Sequence, residues 1–403
     1  MKKLHIALLA SASALMLGTT GIQAGSDVSH NWNAENEVEA MRIFREKYEA
    51  LGGTWAETTF PDTEQSIASV KTRIIGGSPP MALQSTLGGT SQDFANNGLL
   101  ANISAVSDAE DWDARLPAGL AAIAQYDGHY VAAPVFVDVI NWMYTSNEVL
   151  ASVGLEAPNT FDEFMASLPI LKEAGKTPIA IGGDAWQIAI LFDHVVLAAG
   201  GDTLYDGIMS GDSEVVASEN TLHAFEMMGE LRRYTDEGSA GRSWNDTVSL
   251  LIAGDGAYFF MGPWAAGAFS DMGDEGGKWS CRLTPWDSSV TAVADGFQFI
   301  AGGSDEDAAA QALFASAVMD PATQIAAARA KGTLPAVTGA MASDFEGCPA
   351  KAVAPMQVGN TVTHWNGRAS DIGTAVKDTL SAFWTSDMSP EDAHAMLISM
   401  MPK

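Results

Sequence analysis

The sequence predicts an α/β fold, because segments with helical periodicity alternate with short apolar segments that end at turn residues. The helical "AENEVEAMRIFREKYEALGG" is followed by the strand-like "TWAETTF", the helical "TEQSIASVKTRIIGG" and the short apolar "PPMALQS". This alternation is typical of layered α/β proteins. The chain has 403 residues, of which 47% are hydrophobic, and this length suggests two domains or more.

The first 24 residues are predicted to be a signal peptide for export. Lys2 and Lys3 precede a mostly apolar stretch from Ile6 to Leu17, and Ala24 is a small residue suited to cleavage before Gly25. The apolar stretch is too short to span a membrane. A buried N-terminal helix is the alternative. No later segment is an uninterrupted apolar stretch of spanning length, so we expect a soluble exported protein without membrane insertion.

The first predicted helix follows this signal. Five apolar residues recur at helical spacing and are expected to form its buried stripe: Val38, Met41, Phe44, Tyr48 and Leu51. Asn33 is the predicted N-cap, and Gly52 with Gly53 is the predicted C-terminal stop.

The middle of the chain continues the alternation. "YDGHYVAAPVFVDVINWMYTSNEVL" is rich in strand formers and has a turn at Asp127-Gly128. "TFDEFMASLPILKEAG" is a predicted helix capped by Thr160 or Asp162, "TPIAIGG" is a predicted buried strand, and "SENTLHAFEMMGELRRYTDEG" is a predicted long helix.

The C-terminal part starts with "GDGAYFFMGPWAAGAF", in which a dense apolar run stops at Gly262-Pro263. We predict a core strand that ends there, since proline cannot donate to a continuing ladder. Trp264 follows at once. "DEDAAAQALFASAVMD" and "SPEDAHAMLISMM" are predicted helices, and "DPATQIAAARAKG" is a third, with Asp320 as its cap and Gly332 past its end.

The chain is strongly acidic, with a formal net charge of −29. A field of this sign repels nucleic acid phosphates and anionic membranes, so neither is expected as a partner. The charge says little about a neutral ligand, and solubility or a saline habitat also explains it.

Cys281 and Cys348 are the only cysteines. In an exported protein, two cysteines suggest one disulfide, which would stabilise the fold by roughly 4 kcal/mol in the chain-entropy model. Two buried free thiols remain the alternative.

Sequence motifs for catalysis are absent: there is no GxxxxGK[ST], GxGxxG, HExxH or GxSxG. The seven histidines are scattered without metal-ligand spacing. We therefore expect no cofactor, no metal and no enzymatic activity. Carboxylates are plentiful, so an exported carbohydrate-active enzyme that uses a pair of them stays open as the alternative.

Tryptophan is more informative, since the chain has 11 tryptophans and seven tyrosines. Several lie beside turn residues and polar side chains: Trp32, Trp186, Trp244, Trp264 and Trp365. Any one of them could simply pack in the core. Together they favour a ligand cleft, because an indole offers a flat apolar plate for the C–H face of a pyranose ring.

Seven short motifs, in order, carry a family resemblance: "HNWNAENE", "YDGHYVAAPV", "GRSWN", "FMGPWAAGAF", "SCRLTPW", "AKGTLPA" and "FEGCPA". The chain resembles the periplasmic sugar-binding proteins of ABC importers, which are family 1 extracellular solute-binding proteins. It is most similar to their glucose-binding subgroup in Gram-negative bacteria. The similarity spans nearly the whole chain after the signal.

The resemblance implies a two-lobed periplasmic binding protein fold, with a ligand cleft between lobes joined by crossing hinge segments. The expected N-terminal lobe comprises residues 25–134 plus 290–334, and the expected C-terminal lobe comprises 135–289 plus 335–403. It also implies a monomeric periplasmic receptor that captures a small sugar by hinge closure. Its expected partners are that sugar and the membrane permease subunits of an ABC importer.

The resemblance also assigns sugar-binding residues. The first lobe would supply Trp32, Glu37, Gln84, Asp295 and Lys331, and the second would supply Trp244, Trp264 and His364. A carboxylate accepts hydrogen bonds from hydroxyls and an ammonium donates to oxygens, so Asp295 and Lys331 suit a sugar.

The sequence departs from the subgroup at several of these motifs. Asn31-Trp32 replaces a pair of tryptophans, "QSTLGG" lacks the subgroup's lysine, and "THWNGRAS" introduces Trp365 and Arg368. Such groups read hydroxyl geometry, so glucose or a related monosaccharide is expected and the particular sugar stays open. An exported scaffold without a small ligand is a third possibility.

Overall fold

The computed structural model describes residues 27–271, 277–287, 289–358, 361–363 and 370–402. The predicted signal peptide and His364 lie outside these residues. Within them, the strands form a seven-stranded sheet, a four-stranded sheet and a two-stranded ribbon, with helices packed around the two sheets. The α/β prediction is thereby confirmed.

The strands have the following bounds: β1 Asp27–His30, β2 Ala56–Thr59, β3 Ala82–Thr86, β4 Gln125–Tyr126, β5 His129–Tyr130, β6 Ala132–Val139, β7 Trp142–Ser146, β8 Thr177–Ile179, β9 Gly256–Phe260, β10 Trp279–Leu283, β11 Val290–Phe299, β12 Leu334–Pro335 and β13 Thr361–Thr363.

The helices have the following bounds: α1 Glu35–Ala50, α2 Thr63–Ile75, α3 Gly89–Asn96, α4 Ser104–Ala109, α5 Trp112–Arg115, α6 Ala118–Ile123, α7 Asn147–Ser152, α8 Phe161–Glu173, α9 Ala185–Ser210, α10 Ser213–Val216, α11 Glu219–Arg232, α12 Trp244–Ile252, α13 Ala265–Asp271, α14 Asp305–Val318, α15 Pro321–Lys331, α16 Gly347–Val358, α17 Ser370–Thr385 and α18 Pro390–Met400. Short 3₁₀ turns lie at Ser239–Gly241 and Ala342–Asp344.

The larger sheet has the order β12-β6-β11-β3-β1-β2, and β13 pairs with β11. Strand β1 is parallel to both β2 and β3, whereas β11 is antiparallel to β3 and β6. Every residue of β6 is buried, which agrees with its nearly continuous apolar sequence. The smaller sheet has the order β10-β7-β9-β8.

The chain passes between the two sheets at two places that lie side by side. At the first, β6 ends at Val139 in the larger sheet and β7 begins at Trp142 in the smaller one. At the second, β10 ends at Leu283 in the smaller sheet and β11 begins at Val290 in the larger one. The Asn141 side chain links the two passages, since it accepts from the Thr291 amide at 2.8 Å and donates to Asp287 at 3.0 Å. The predicted lobe boundary at 134/135 falls inside β6, which continues in the larger sheet to Val139.

Helix α1 stops before Gly52, which has φ 101°, as predicted, but it differs from its prediction at the N-cap and in its buried stripe. Its N-cap is Ala34 rather than Asn33, because the Glu37 carboxylate folds back to cap the helix from inside. Val38 and Leu51 are 52% and 44% exposed, so neither belongs to the buried stripe. Each helical residue turns by about 100°, which places Val38 at the margin of the face that buries Met41, and Leu51 is the residue at which the helix ends.

Helix α9 is, among the described residues, the one helix long and apolar enough to cross a membrane. Of its apolar window, 67% is buried inside the fold. It packs against α11 and α17, and Gly201 interrupts its helical geometry with φ 62° and ψ −159°. A core helix meets the same criteria of length and composition, and we interpret α9 as one.

Cys281 of β10 and Cys348 of α16 form a disulfide, with their Cα atoms 5.9 Å apart. Both residues are buried. The structure therefore decides between the two alternatives for the cysteines in favour of the disulfide. The bond ties the smaller sheet to α16, which lies in the chain between β12 and β13 of the larger sheet.

Candidate functional site

A cavity of about 1180 Å³ is lined by elements that pack on both sheets. One side consists of residues from β3, β6 and β11 of the larger sheet and from the starts of α1 and α2. The other side consists of the starts of α9 and α12, the loop after β9, and α17.

Seven of the eight predicted site residues line this one cavity, and His364 lies outside the described residues. They are Trp32, Glu37, Gln84, Trp244, Trp264, Asp295 and Lys331. Apart from Trp32 and Glu37, which belong to one motif, they come from widely separated parts of the chain. Their assignment as sugar contacts stays a prediction, because no ligand tests it.

Lys331 is the centre of a charged cluster in the cavity wall. Its Nζ lies 3.1 Å from Asp138 Oδ2 and 3.5 Å from Asp295 Oδ2. The carboxylates are held in turn, since the Thr333 hydroxyl donates to Asp138 and the Thr86 hydroxyl donates to Asp295 Oδ1 at 3.1 Å. The lysine is thus fixed by two strands, β6 and β11, at the end of α15.

Three aromatic rings surround the same ammonium. Lys331 Nζ is 5.1 Å from the ring centroid of Phe136, 5.4 Å from that of Trp32 and 5.7 Å from that of Trp264. A cation is attracted to the negative face of such rings, most strongly where both are desolvated. The charge and the aromatic plates of the predicted site therefore form one packed unit.

Burial and charge act in opposite directions on this cluster. Burial by itself lowers the pKa of Lys331, but Asp138, Asp295 and Glu37 outweigh it and raise the pKa above its ordinary value. Burial raises the pKa of Asp138, and Lys331 opposes that rise. Lys331 is therefore charged at neutral pH and compensates the carboxylates around it.

Glu37 combines a structural role with its place in the cavity wall. Its Oε2 accepts from the backbone N–H groups of Asn33 and Ala34, each at 3.1 Å, which satisfies two donors at the start of α1. Burial raises its pKa, while Lys331 and these two backbone bonds lower it.

Trp264 follows β9 as predicted, at the turn that precedes α13. The Tyr144 hydroxyl contacts the carbonyl oxygens of Gly262 and Pro263 at 3.0 Å each, and Asn36 Nδ2 donates to the Trp264 carbonyl at 3.2 Å. The indole lies so close over Gly262 that a Cβ there would be 1.8 Å from the ring. Trp264 is only 8% exposed, so the indole is a wall of the cavity and not a freely projecting plate.

The cavity also holds residues that the sequence analysis did not assign to it. Asp138 is one, and it is 2% exposed within the apolar run of β6. An acidic residue inside a buried strand was the available signal. Arg242 stands in the motif "GRSWN" but was not assigned to the site. Lys377 had no sequence signal, because tertiary packing alone brings α17 to the cavity.

The two sides of the cavity also meet at its rim. Lys377 of α17 lies 2.8 Å from Glu64 of α2. Asp184, the N-cap of α9, has a raised pKa because it is partly buried and because Glu64 and Asp62 face it. Carboxylates from both sides are thus brought near one another.

This fold and cavity define a class, the two-lobed receptors that hold a ligand between lobes. Residues 33–322 match the family model of the bacterial extracellular solute-binding proteins. The chain belongs to this family.

Its relatives include full-length matches. It is 31% identical to "Probable sugar-binding periplasmic protein" of Brucella suis biovar 1 (strain 1330) over 415 residues, which cover 99% of this chain and 98% of the relative. A protein of the same name from Rhizobium meliloti (strain 1021) is 31% identical over 402 residues, covering 96% and 97%.

Solved structures share the fold at lower identity. A chitin oligosaccharide binding protein matches with a TM-score of 0.81 at 18% identity, covering 94% of this chain and 98% of its own. A bacterial solute receptor described as having an exclusive preference for β-D-galactopyranose matches with a TM-score of 0.79 at 19% identity, covering 93% and 97%. These likenesses establish the two-lobed fold.

Proposed function

We propose that this protein is a periplasmic receptor that captures a small sugar and delivers it to an ABC importer. Glucose or a related monosaccharide is the proposed ligand. The observation that carries the proposal is that seven of the eight residues assigned by the resemblance line one cavity between the lobes. Full-length relatives that are named as probable sugar-binding periplasmic proteins support it.

The chemistry of the cavity wall supports a sugar. Trp32 and Trp264 supply flat apolar surface, while Asp295 and Glu37 supply hydrogen-bond acceptors for hydroxyls. Charged acceptors make the strongest hydrogen bonds to hydroxyl groups. A wall that combines both suits a pyranose, which has an apolar face and a polar rim.

A thermal-shift panel of monosaccharides and disaccharides, followed by calorimetry on the hits, tests the proposal. We expect saturable stabilisation by glucose or one of its epimers. Absence of any shift across the panel would leave the exported scaffold as the better explanation.

An exported carbohydrate-active enzyme is not favoured by the geometry. Asp138 and Asp295 both contact Lys331, so these two are not an independent acid and base. We expect the sugar to be recovered unchanged after prolonged incubation with the protein. Cleavage or isomerisation, detected by chromatography, would contradict the receptor proposal.

Trp264→Ala is expected to weaken sugar binding by about 1–3 kcal/mol, by analogy with base–aromatic stacking. The loss follows from removing the indole wall that borders Lys331. Calorimetry measures it. Trp55→Ala is the matched control, because Trp55 packs on Tyr48 and Phe314 and does not line the cavity. Equal affinity of Trp264→Ala and the native protein would rule out a stacking role.

Sugar binding is expected to make the protein more compact, since a ligand that contacts both lobes shifts the population towards the closed arrangement. Small-angle scattering with and without a saturating hit measures the radius of gyration. The same radius in both samples would contradict hinge closure while leaving sugar binding itself intact.

A further inference from the structure

The cavity wall has an excess of negative groups. Seven carboxyl groups and four cations line the described part of it. The carboxyl groups are those of Glu37, Asp62, Glu64, Asp93, Asp138, Asp184 and Asp295, and the cations are those of Lys71, Arg242, Lys331 and Lys377.

Each of these four cations already has a carboxylate partner. Lys71 Nζ lies 2.8 Å from Asp93 Oδ2, and Lys377 Nζ lies 2.8 Å from Glu64 Oε1. Arg242 Nη2 lies 2.5 Å from Asp236 Oδ1. Lys331 has its two partners in Asp138 and Asp295. A cation that can turn towards an anionic ligand gives it the strongest hydrogen bonds. Here, recruiting any of the four would leave a carboxylate without its partner.

The remaining rim carboxylates are held by neutral donors. Asp62 accepts from the Gln65 amide at 2.7 Å, and Asp184 accepts from Gln187 Nε2 at 2.9 Å. These bonds fix both carboxylates in place without cancelling their charge. Because Asp62 and Asp184 belong to opposite sides of the cavity, an anion between them would be repelled from both directions.

A buried acceptor on the inner wall adds an independent observation. Gln84 is 3% exposed, and within the described residues its Oε1 has no hydrogen-bond donor. A buried carbonyl oxygen without a donor is costly. A ligand that brings donors, such as hydroxyl or ammonium groups, would satisfy it, whereas a carboxylate or phosphate brings further acceptors.

We propose that the cleft selects its ligand by charge: it binds neutral and cationic sugars and rejects uronates and sugar phosphates. This inference rests on the proposed function, because it concerns which sugars the same cavity accepts. The selectivity resides in the engaged cations and fixed carboxylates of the wall, and not in the acidity of the chain as a whole.

The test compares ligands that differ in charge and not in shape. For each neutral hit, such as glucose or galactose, calorimetry at physiological salt measures the affinity for the matching uronate and for its uronamide. The matching 2-amino sugar is measured in the same way as the cationic ligand. At this ionic strength the charges on distant parts of the protein are largely screened. We expect the uronate to bind at least about tenfold more weakly than the uronamide.

The charge of the wall is tested by Asp62→Asn. Asparagine is an equally good N-cap, so α2 keeps its start while the wall loses one charge. We expect the discrimination against the uronate to fall by about twofold or more. Asp212→Asn is the matched control, since Asp212 caps α10 in the same manner outside the cavity wall. It should leave the discrimination unchanged.

The outcomes separate the two proposals. Selection by charge is overturned if the uronate binds as well as its uronamide, or if both bind more weakly than the neutral sugar by the same factor. Either result leaves sugar binding standing. Equal discrimination in Asp62→Asn and the native protein places the selection outside this wall and also overturns the inference. If no sugar of any charge binds, the proposed function itself fails, and the inference fails with it.

Discussion

Lys331→Met is expected to lower the free energy of unfolding by about 3–5 kcal/mol, because it leaves buried carboxylates without their cation. Lys331 is 3% exposed, and its contacts with Asp138 and Asp295 are not replaced by a thioether. Urea unfolding at neutral pH, followed by fluorescence, measures the difference.

The loss is expected to be larger at pH 8 than at pH 5. Lys331 lowers the pKa values of Asp138 and Glu37, so its removal raises both further above the ordinary 3.8 and 4.5. The folded variant then holds protons that the unfolded chain releases, so its stability falls as the pH rises through that window. In the native protein, the raised pKa of Lys331 keeps its contribution complete until the pH exceeds its ordinary value of 10.5.

Lys377→Met is the matched control, because it makes the same change at another lysine of the cavity wall. Its partner Glu64 is 59% exposed, so this pair is screened by solvent and its loss should change stability by about 1 kcal/mol or less. Adding Asp138→Asn to Lys331→Met should recover part of the stability. Equal effects of the two lysine variants, or a loss that is independent of pH, would contradict a buried charge cluster.

The elements with clear local signals were predictable from the sequence. Thr160 caps α8 by accepting from the Glu163 amide, and Asp320 caps α15, whose end is marked by Gly332 at φ 84°. These caps depend on residues within a few positions of one another, and such signals survive without knowledge of the tertiary structure.

Helix α9 was not predictable in the same way. Its first half is buried on all sides, so it has no polar face and no helical periodicity in its apolar residues. Tertiary packing against α11 and α17 determines its position. The predicted N-cap of α1 was wrong for a related reason. The Glu37 carboxylate, and not the Asn33 side chain, accepts the hydrogen bonds that cap this helix.

The sequence predicted which residues belong to the candidate site but not how those residues contact one another. The motifs that contain Trp32, Trp264 and Lys331 identified residues of the wall. That Lys331 would be held by Asp138 depends on the neighbouring strands β6 and β11, which no sequence spacing reveals. The charge balance of the wall was likewise inaccessible, because it depends on which carboxylates and cations meet across the cavity.

Removing the disulfide with Cys281→Ala/Cys348→Ala is expected to lower the free energy of unfolding by about 4 kcal/mol. The bond closes a loop between residues separated by 67 positions, so its loss gives the unfolded chain more conformational freedom. Denaturant unfolding of the oxidised protein and the double variant measures the difference. Alanine is used because both positions are buried, where a serine hydroxyl would need a partner.

The reduced native protein is the internal control for this comparison, because it lacks the bond but keeps both sulfur atoms. It should unfold at nearly the same denaturant concentration as the double variant, since the loop is open in both. Alkylation provides the second readout: both thiols should be unreactive in oxidised, denatured protein and reactive after reduction. Two thiols labelled without reduction, or a double variant as stable as the oxidised protein, would show that the bond does not stabilise the fold in solution.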